Sequence, residues 1–172
     1  MKRIAIIVNA FGGSTTSLAE AFLNQGYKVD FYHLIPRKKS ASFETFDLSL
    51  RGGLFSIVPV RSFDYDGLRR FIPFARNKYF SMYQISVVEL SSMGIRCFIN
   101  PILVLYYVKL ARRIIKQKYD FVNVIGQNKS TAFLSVILRS IGVNVVNLVH
   151  EVCVKHQDGD RLRDPVIYHI EK

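Results

Sequence analysis

Residues 3–33 alternate in a way that few folds accommodate. Arg3-Ile4-Ala5-Ile6-Ile7-Val8 is a short apolar run rich in β-branched residues, and Asn9-Ala10-Phe11-Gly12-Gly13 is a tight turn. Residues 14–25 follow helical spacing, Gly26 stops them, and 28–33 is β-forming again. A strand, a helix and a second strand make one βαβ unit, the opening of a doubly wound sheet. A first strand this apolar is buried, as the strands of such sheets are.

The turn has a chemical consequence. Backbone N–H groups at a helix start have no partner within the helix, and the positive end of the helix dipole adds to them, so an anion is favoured there. Ser14, Thr15 and Thr16 can cap this helix, and their hydroxyls can also donate to a phosphate or a sugar. The competing reading of Gly12-Gly13 is a tight turn and nothing more.

The alternation continues to the end of the chain. Residues 54–60 are expected to form a third strand and 64–80 a helix broken near Pro73. A strand over 84–89 follows, then a helix over 102–118 with Pro101 at its first position. Further elements are a strand over 121–125, a helix over 130–140 stopped by Gly142, and a strand over 144–149. Hydrophobic residues make up 49% of the chain, which excludes a disordered protein, and 172 residues suit one domain spanning 1–172. The fold class expected is α/β: a single Rossmann-like domain, its mostly parallel sheet carrying helices on both faces.

Lys and Arg outnumber Asp and Glu by 24 to 13, a net charge of +11, so a negative partner is expected: an anionic membrane leaflet, a phosphorylated substrate or nucleic acid. Nucleic-acid signatures are missing, and that partner is set aside. The cations gather in three knots. Arg37-Lys38-Lys39 is one. Arg61, Arg69, Arg70, Arg76 and Lys78 form another, interleaved with Phe63, Phe71, Phe74, Tyr79 and Phe80. That pattern fits an interfacial segment contacting membrane or other anions through Arg69, Arg70 and Arg76, or a solvated loop whose aromatics are core. The third knot, Lys109 to Lys118, has a structural explanation in the dipole of the helix it ends.

Cys97 and Cys153 have no metal-ligand spacing and read as reduced thiols of a cytoplasmic protein. His33, His156 and His169 form no cluster with Cys or carboxylates, so no metal is expected. The run 4–8 is too short for an export signal, and 97–108 falls short of the roughly 20 apolar residues that span a bilayer. Peripheral attachment at the inner membrane face stays open.

In open parallel sheets, ligands sit at the carboxyl ends of the strands, where strand order reverses. Gly12-Gly13, Gly126-Gln127-Asn128 and His150-Glu151 are all expected on that edge. There His150 and Glu151 can bind a hydroxyl or shuttle a proton.

IAIIVNAFGGSTTSLAEAFLNQGYKVDFYHL, followed by YDFVNVIGQNKSTAFLSVILRSIGVNVVNLVHEV, resembles the N-terminal domain of GT-B fold glycosyltransferases, family 4 in particular. The resemblance covers about the first 35 residues and residues 119–152, and the middle in outline. It implies the acceptor-binding half of a retaining, nucleotide-sugar-dependent transferase of the hexosyltransferase type. The acceptor expected is a cell-envelope glycan or a lipid-linked acceptor. Under it Gly12, Gly13, Ser14 and Thr15 face the donor diphosphate, Gln127, Asn128 and Glu151 line the acceptor side, and His150 is the catalytic candidate near the transferred sugar. The first loop lacks the proline common in the family, and Gly126-Gln127 stands where many members have a histidine. No cofactor is implied. The nucleotide sugar is a substrate, held mainly by a second domain expected outside this chain and supplied in cis or in trans; alone, this half is expected to be inactive. The alternative class is a non-catalytic basic Rossmann-like binding or membrane-anchoring subunit.

Overall fold

A computed structural model describes residues 1–10, 13–36, 57–61, 63, 68–87, 100–126 and 128–148. Among these residues six strands form one sheet: β1 (Arg3–Val8), β2 (Lys28–Pro36), β3 (Ile57–Pro59), β4 (Phe80–Val87), β5 (Phe121–Ile125) and β6 (Val145–Leu148). Three α-helices among the described residues cover it: α1 (Gly13–Asn24), α2 (Pro101–Ile115) and α3 (Lys129–Ser140). A 3-10 helix spans Arg69–Phe74. The strands lie in the order β3-β4-β2-β1-β5-β6, all parallel except the antiparallel edge strand β3. This is the Rossmann-like α/β arrangement expected from the alternation.

The central strand β1 is buried on both faces. Ile4, Ile6 and Val8 point toward α1 and the 3-10 helix, where they join Ala19, Phe31, Phe71 and Met82. Ala5 and Ile7 point the other way, under α2 and α3, with Leu110, Ile114, Leu134 and Leu138. Helices fall on opposite faces because right-handed crossovers that run in opposite directions along the sheet, β1 to β2 through α1 and β4 to β5 to β6 through α2 and α3, must pass on opposite sides of it.

Local chemistry fixes the helix ends. Asn100 caps α2, its Oδ1 accepting from Ile102 N at 3.0 Å, with Pro101 at the first position. Asn128 caps α3, its Oδ1 accepting from Thr131 N at 2.9 Å. Gly26 ends α1 with φ of +80°, while Tyr27 N donates to Phe22 O at 3.0 Å, a closure that leaves room for glycine and strains other residues.

The middle of the chain differs from its sequence reading. The described residues 68–80 of the segment 64–80 do not make one broken helix: Pro73 lies inside the short 3-10 helix, and β4 already starts at Phe80. Among the described residues the third strand spans Ile57–Pro59, and it runs antiparallel to β4. Phe71 and Phe80 are buried and Phe63 and Phe74 pack against the same core, so these aromatics serve the α1 face of the sheet. Phe71 and Phe80 stack with centroids 6.0 Å apart. Tyr79 remains 37% exposed.

Candidate functional site

β1 leads through α1 to β2 on one side, whereas α2 carries the chain back across β1 to β5 on the other. Strand order therefore reverses between β1 and β5, and their carboxyl ends border the crevice where sheets of this class take ligands. Val8 pairs with Ile125, which sets Asn9 opposite Gly126. Gly126 has φ of +151°, and a Cβ there would strike Oδ1 of Asn9 and lie 3.1 Å from Thr131 Cγ2. The half-buried Asn9 side chain fills the room that a missing Cβ leaves.

Two helix starts open on this edge. Gly13 begins α1, so Ser14 and Thr15 lie in its first turn rather than at the cap, with Ser14 exposed and Thr15 buried. At α3, Thr131 Oγ1 also bonds to Asn128, which engages the Asn128 Oδ1 acceptor within the cap and leaves its NH2 as the group to meet a ligand. Neither helix has an acidic residue in its first turn, so nothing opposes the positive ends of the two dipoles.

Val8, His33 and Gln84 align across β1, β2 and β4 at the same end of the sheet. Val8 faces α1, so His33 and Gln84 do too. Burial pushes the His33 imidazole down from 6.5 to about 4, so the ring is neutral at physiological pH. On β5, two strands from His33 with β1 between them, Asn123 is buried on the α1 face and its Oδ1 has no hydrogen-bond partner.

The structure brings Gly13, Ser14, Thr15 and Asn128 to one edge. Gly12, Gln127, His150 and Glu151 lie outside the described residues, as do both cysteines. Arg69, Arg70 and Arg76 are exposed, and Arg76 sits just before β4 begins, at the amino edge of the sheet, away from the crevice. Sequence reading passed over Asn9 as part of a turn. The signal was present in the polar residue ending the first strand and the glycine ending the fifth, but only their pairing gives it meaning. Among the described residues no three of His, Cys, Asp and Glu gather as a metal site, and no helix is long and apolar enough to cross a membrane.

The fold and its crevice define the class as a Rossmann-like α/β domain. No protein-family model matches the chain, and no curated protein does. Among solved structures it is similar to the C-terminal domain (residues 78–226) of PF1911 hydrogenase from Pyrococcus furiosus. That likeness has a TM-score of 0.42 and 11% identity over 86% of this chain and 92% of that one. It is also similar to OtsA in its apo form, with a TM-score of 0.43 and 9% identity over 85% of this chain. The chain spans 32% of OtsA's length. Likenesses this remote say nothing of ligand or chemistry.

Proposed function

We propose that this chain is the acceptor-side, N-terminal Rossmann-like domain of a retaining, nucleotide-sugar-dependent glycosyltransferase of the GT-B type. In this reading it works with a nucleotide-sugar domain supplied in cis or in trans. The observation that carries the reading is the Asn9–Gly126 junction at the point of strand reversal, onto which the starts of α1 and α3 both open. Paired helix starts without acidic residues favour a ligand bearing phosphate, and the resemblance of about the first 35 residues and residues 119–152 to family 4 transferases names the chemistry.

In such a reaction the bond from the anomeric carbon to the nucleoside diphosphate breaks as an acceptor hydroxyl oxygen bonds to that carbon, the hydroxyl proton passing to the departing diphosphate. The domain's part is to hold the acceptor and to stabilise negative charge on the leaving diphosphate through N–H donors at the Gly12-Gly13 turn. His150 and Glu151 are assigned to hydrogen-bond the transferred sugar and the acceptor, with Gln127 and Asn128 beside them.

Calorimetric titration with UDP- and GDP-hexoses tests the division of labour: the chain alone is expected to bind them weakly and turn none over. Micromolar affinity for any of them would overturn the acceptor-side reading and favour a free-standing nucleotide-binding module. In the assembled enzyme, His150→Ala is expected to cut transfer about a hundredfold with the melt unchanged, the size of effect that loss of one placed donor gives. Near-normal activity would remove His150 from the site.

A further inference from the structure

The outward face of α2 and α3 carries more positive charge than its helices need. Residues 100–148 hold Lys109, Arg112, Arg113, Lys116 and Lys118 on and after α2, and Lys129 and Arg139 on α3. Their only acid is Asp120, whose carboxylate accepts the Arg3 backbone N–H at 2.7 Å. All of these cations except Lys129 are exposed. Arg112 and Arg113 in the last turn of α2 suffice to offset its dipole. Lys109 lies a turn earlier, three and four residues from those arginines, and Lys116 lies four and three beyond them. Like charges at these spacings repel along one helix face and weaken the helix. The cluster is unfavourable in the free domain and becomes favourable against a negative surface.

Apolar side chains share the face. Leu105, one turn before Lys109, is 52% exposed, and Val136 on α3 is 40% exposed. The basic-aromatic segment 61–80 offers less, because Phe63, Phe71, Phe74 and Phe80 pack into or against the core. α2 starts at the carboxyl edge of the sheet and ends at the amino edge, so most of its charge lies at the end away from the crevice. A surface seated there leaves the Asn9–Gly126 crevice open.

We propose that the α2–α3 face docks onto an anionic lipid bilayer. The cations of 109–118 and Arg139 lie among lipid phosphates, and Leu105 and Val136 enter the headgroup region. Exposed aliphatic side chains among the cations favour lipid over nucleic acid, whose phosphate backbone offers them nothing to pack on.

The test is co-sedimentation of the whole chain with phosphatidylcholine vesicles, with and without phosphatidylglycerol. Binding is expected only with phosphatidylglycerol and is expected to fall as salt rises. Together, Arg112→Gln, Arg113→Gln and Lys116→Gln are expected to weaken it on the order of a hundredfold, about fivefold per cation. Arg69→Gln, Arg70→Gln and Arg76→Gln together are expected to change it little. Leu105→Ser is expected to weaken vesicle binding and leave binding to a duplex oligonucleotide unchanged. Lys109→Gln with Lys118→Gln is a second variant should the triple one melt early. Equal sedimentation with both vesicle types, or full binding by the α2 variants, would overturn the proposal. So would oligonucleotide binding as tight as vesicle binding with Leu105→Ser affecting neither, which would assign the face to nucleic acid.

Discussion

Arg3 on β1 and Asp30 on β2 form an ion pair beneath the sheet's amino edge, with Nε donating to Oδ2 at 2.8 Å. Asp30 is wholly buried, whereas the Arg3 side chain is 22% exposed. Tyr119 donates to the same Oδ2 at 2.7 Å, so Tyr32, 2.7 Å from the Tyr119 oxygen, must be the donor in that contact. Burial, joined by the neighbouring hydroxyl and carboxylate, pushes the Tyr119 hydroxyl far above its ordinary range; burial does the same for Tyr32. Arg3 Nη1 also donates to Gln117 Oε1 at 2.9 Å. One carboxylate thus ties two strands to the segment that follows α2.

The asymmetry of exposure predicts an order of effects. Asp30→Asn strands a guanidinium that water can still reach, whereas Arg3→Met strands a carboxylate that water cannot. Arg3→Met is therefore expected to be the more damaging, at roughly 3–5 kcal/mol, in line with breaking a buried pair. Urea unfolding of both variants checks this, and the reverse order would mean that Tyr119 alone compensates the carboxylate.

Gly126→Ala combines an unfavourable φ with a collision against Asn9, and a loss of about 1–3 kcal/mol is expected. Asn9→Ala in the same chain relieves the collision and not the backbone strain. The double variant should recover part of the loss, and a double-mutant cycle from denaturation curves gives the coupling.

His33 makes stability depend on pH. The unfolded imidazole takes a proton near 6.5, and the folded one resists until about 4. Between those values the unfolded state binds more protons, so this contribution is full above about pH 6.5. It falls as pH drops through the window and levels off below about 4. His33→Gln removes that slope. Urea midpoints at about pH 7.5 and about pH 5 should show a smaller difference for the variant than for the parent protein; equal differences would mean that the ring protonates freely in the fold.

Asn128→Ala removes the α3 cap and is expected to cost about 1 kcal/mol, with Asn128→Asp largely sparing the helix. Thermal melts separate this structural role from the acceptor-side role proposed for Asn128. If Asn128→Asp keeps stability and loses acceptor binding in the assembled enzyme, both roles hold.

Local pattern was enough for the two ends of the chain. The β1–α1–β2 unit and the β5–α3–β6 unit lie within a residue or two of their expected bounds, apart from β2, which runs three residues further. Apolar runs, Asn128 and the stops at Gly26 and Gly142 act between near neighbours. The same holds for α2, whose Asn100-Pro101 start is written in adjacent residues, although it ends at Ile115, three residues early. In the middle, pattern misled: helical spacing of Leu68, Phe71, Ile72 and Ala75 competes with Pro73, and the segment settles as a 3-10 helix because Phe71 and Phe80 gain more by entering the α1-side core.

The sequence by itself therefore determined that the protein is α/β, where most of its elements lie and how its helices begin and stop. Only the tertiary structure decided that β3 runs backward at the edge and that strand order turns between β1 and β5. It alone set Asn9 against Gly126 and Arg3 against Asp30. It also turned the phenylalanines of 61–80 inward while leaving the cations of α2 bare. These outcomes rest on contacts between residues distant in the chain, Asn9 with Gly126 and Asp30 with Tyr119 among them. Their energies arise from pairing and burial that no window of neighbouring residues contains.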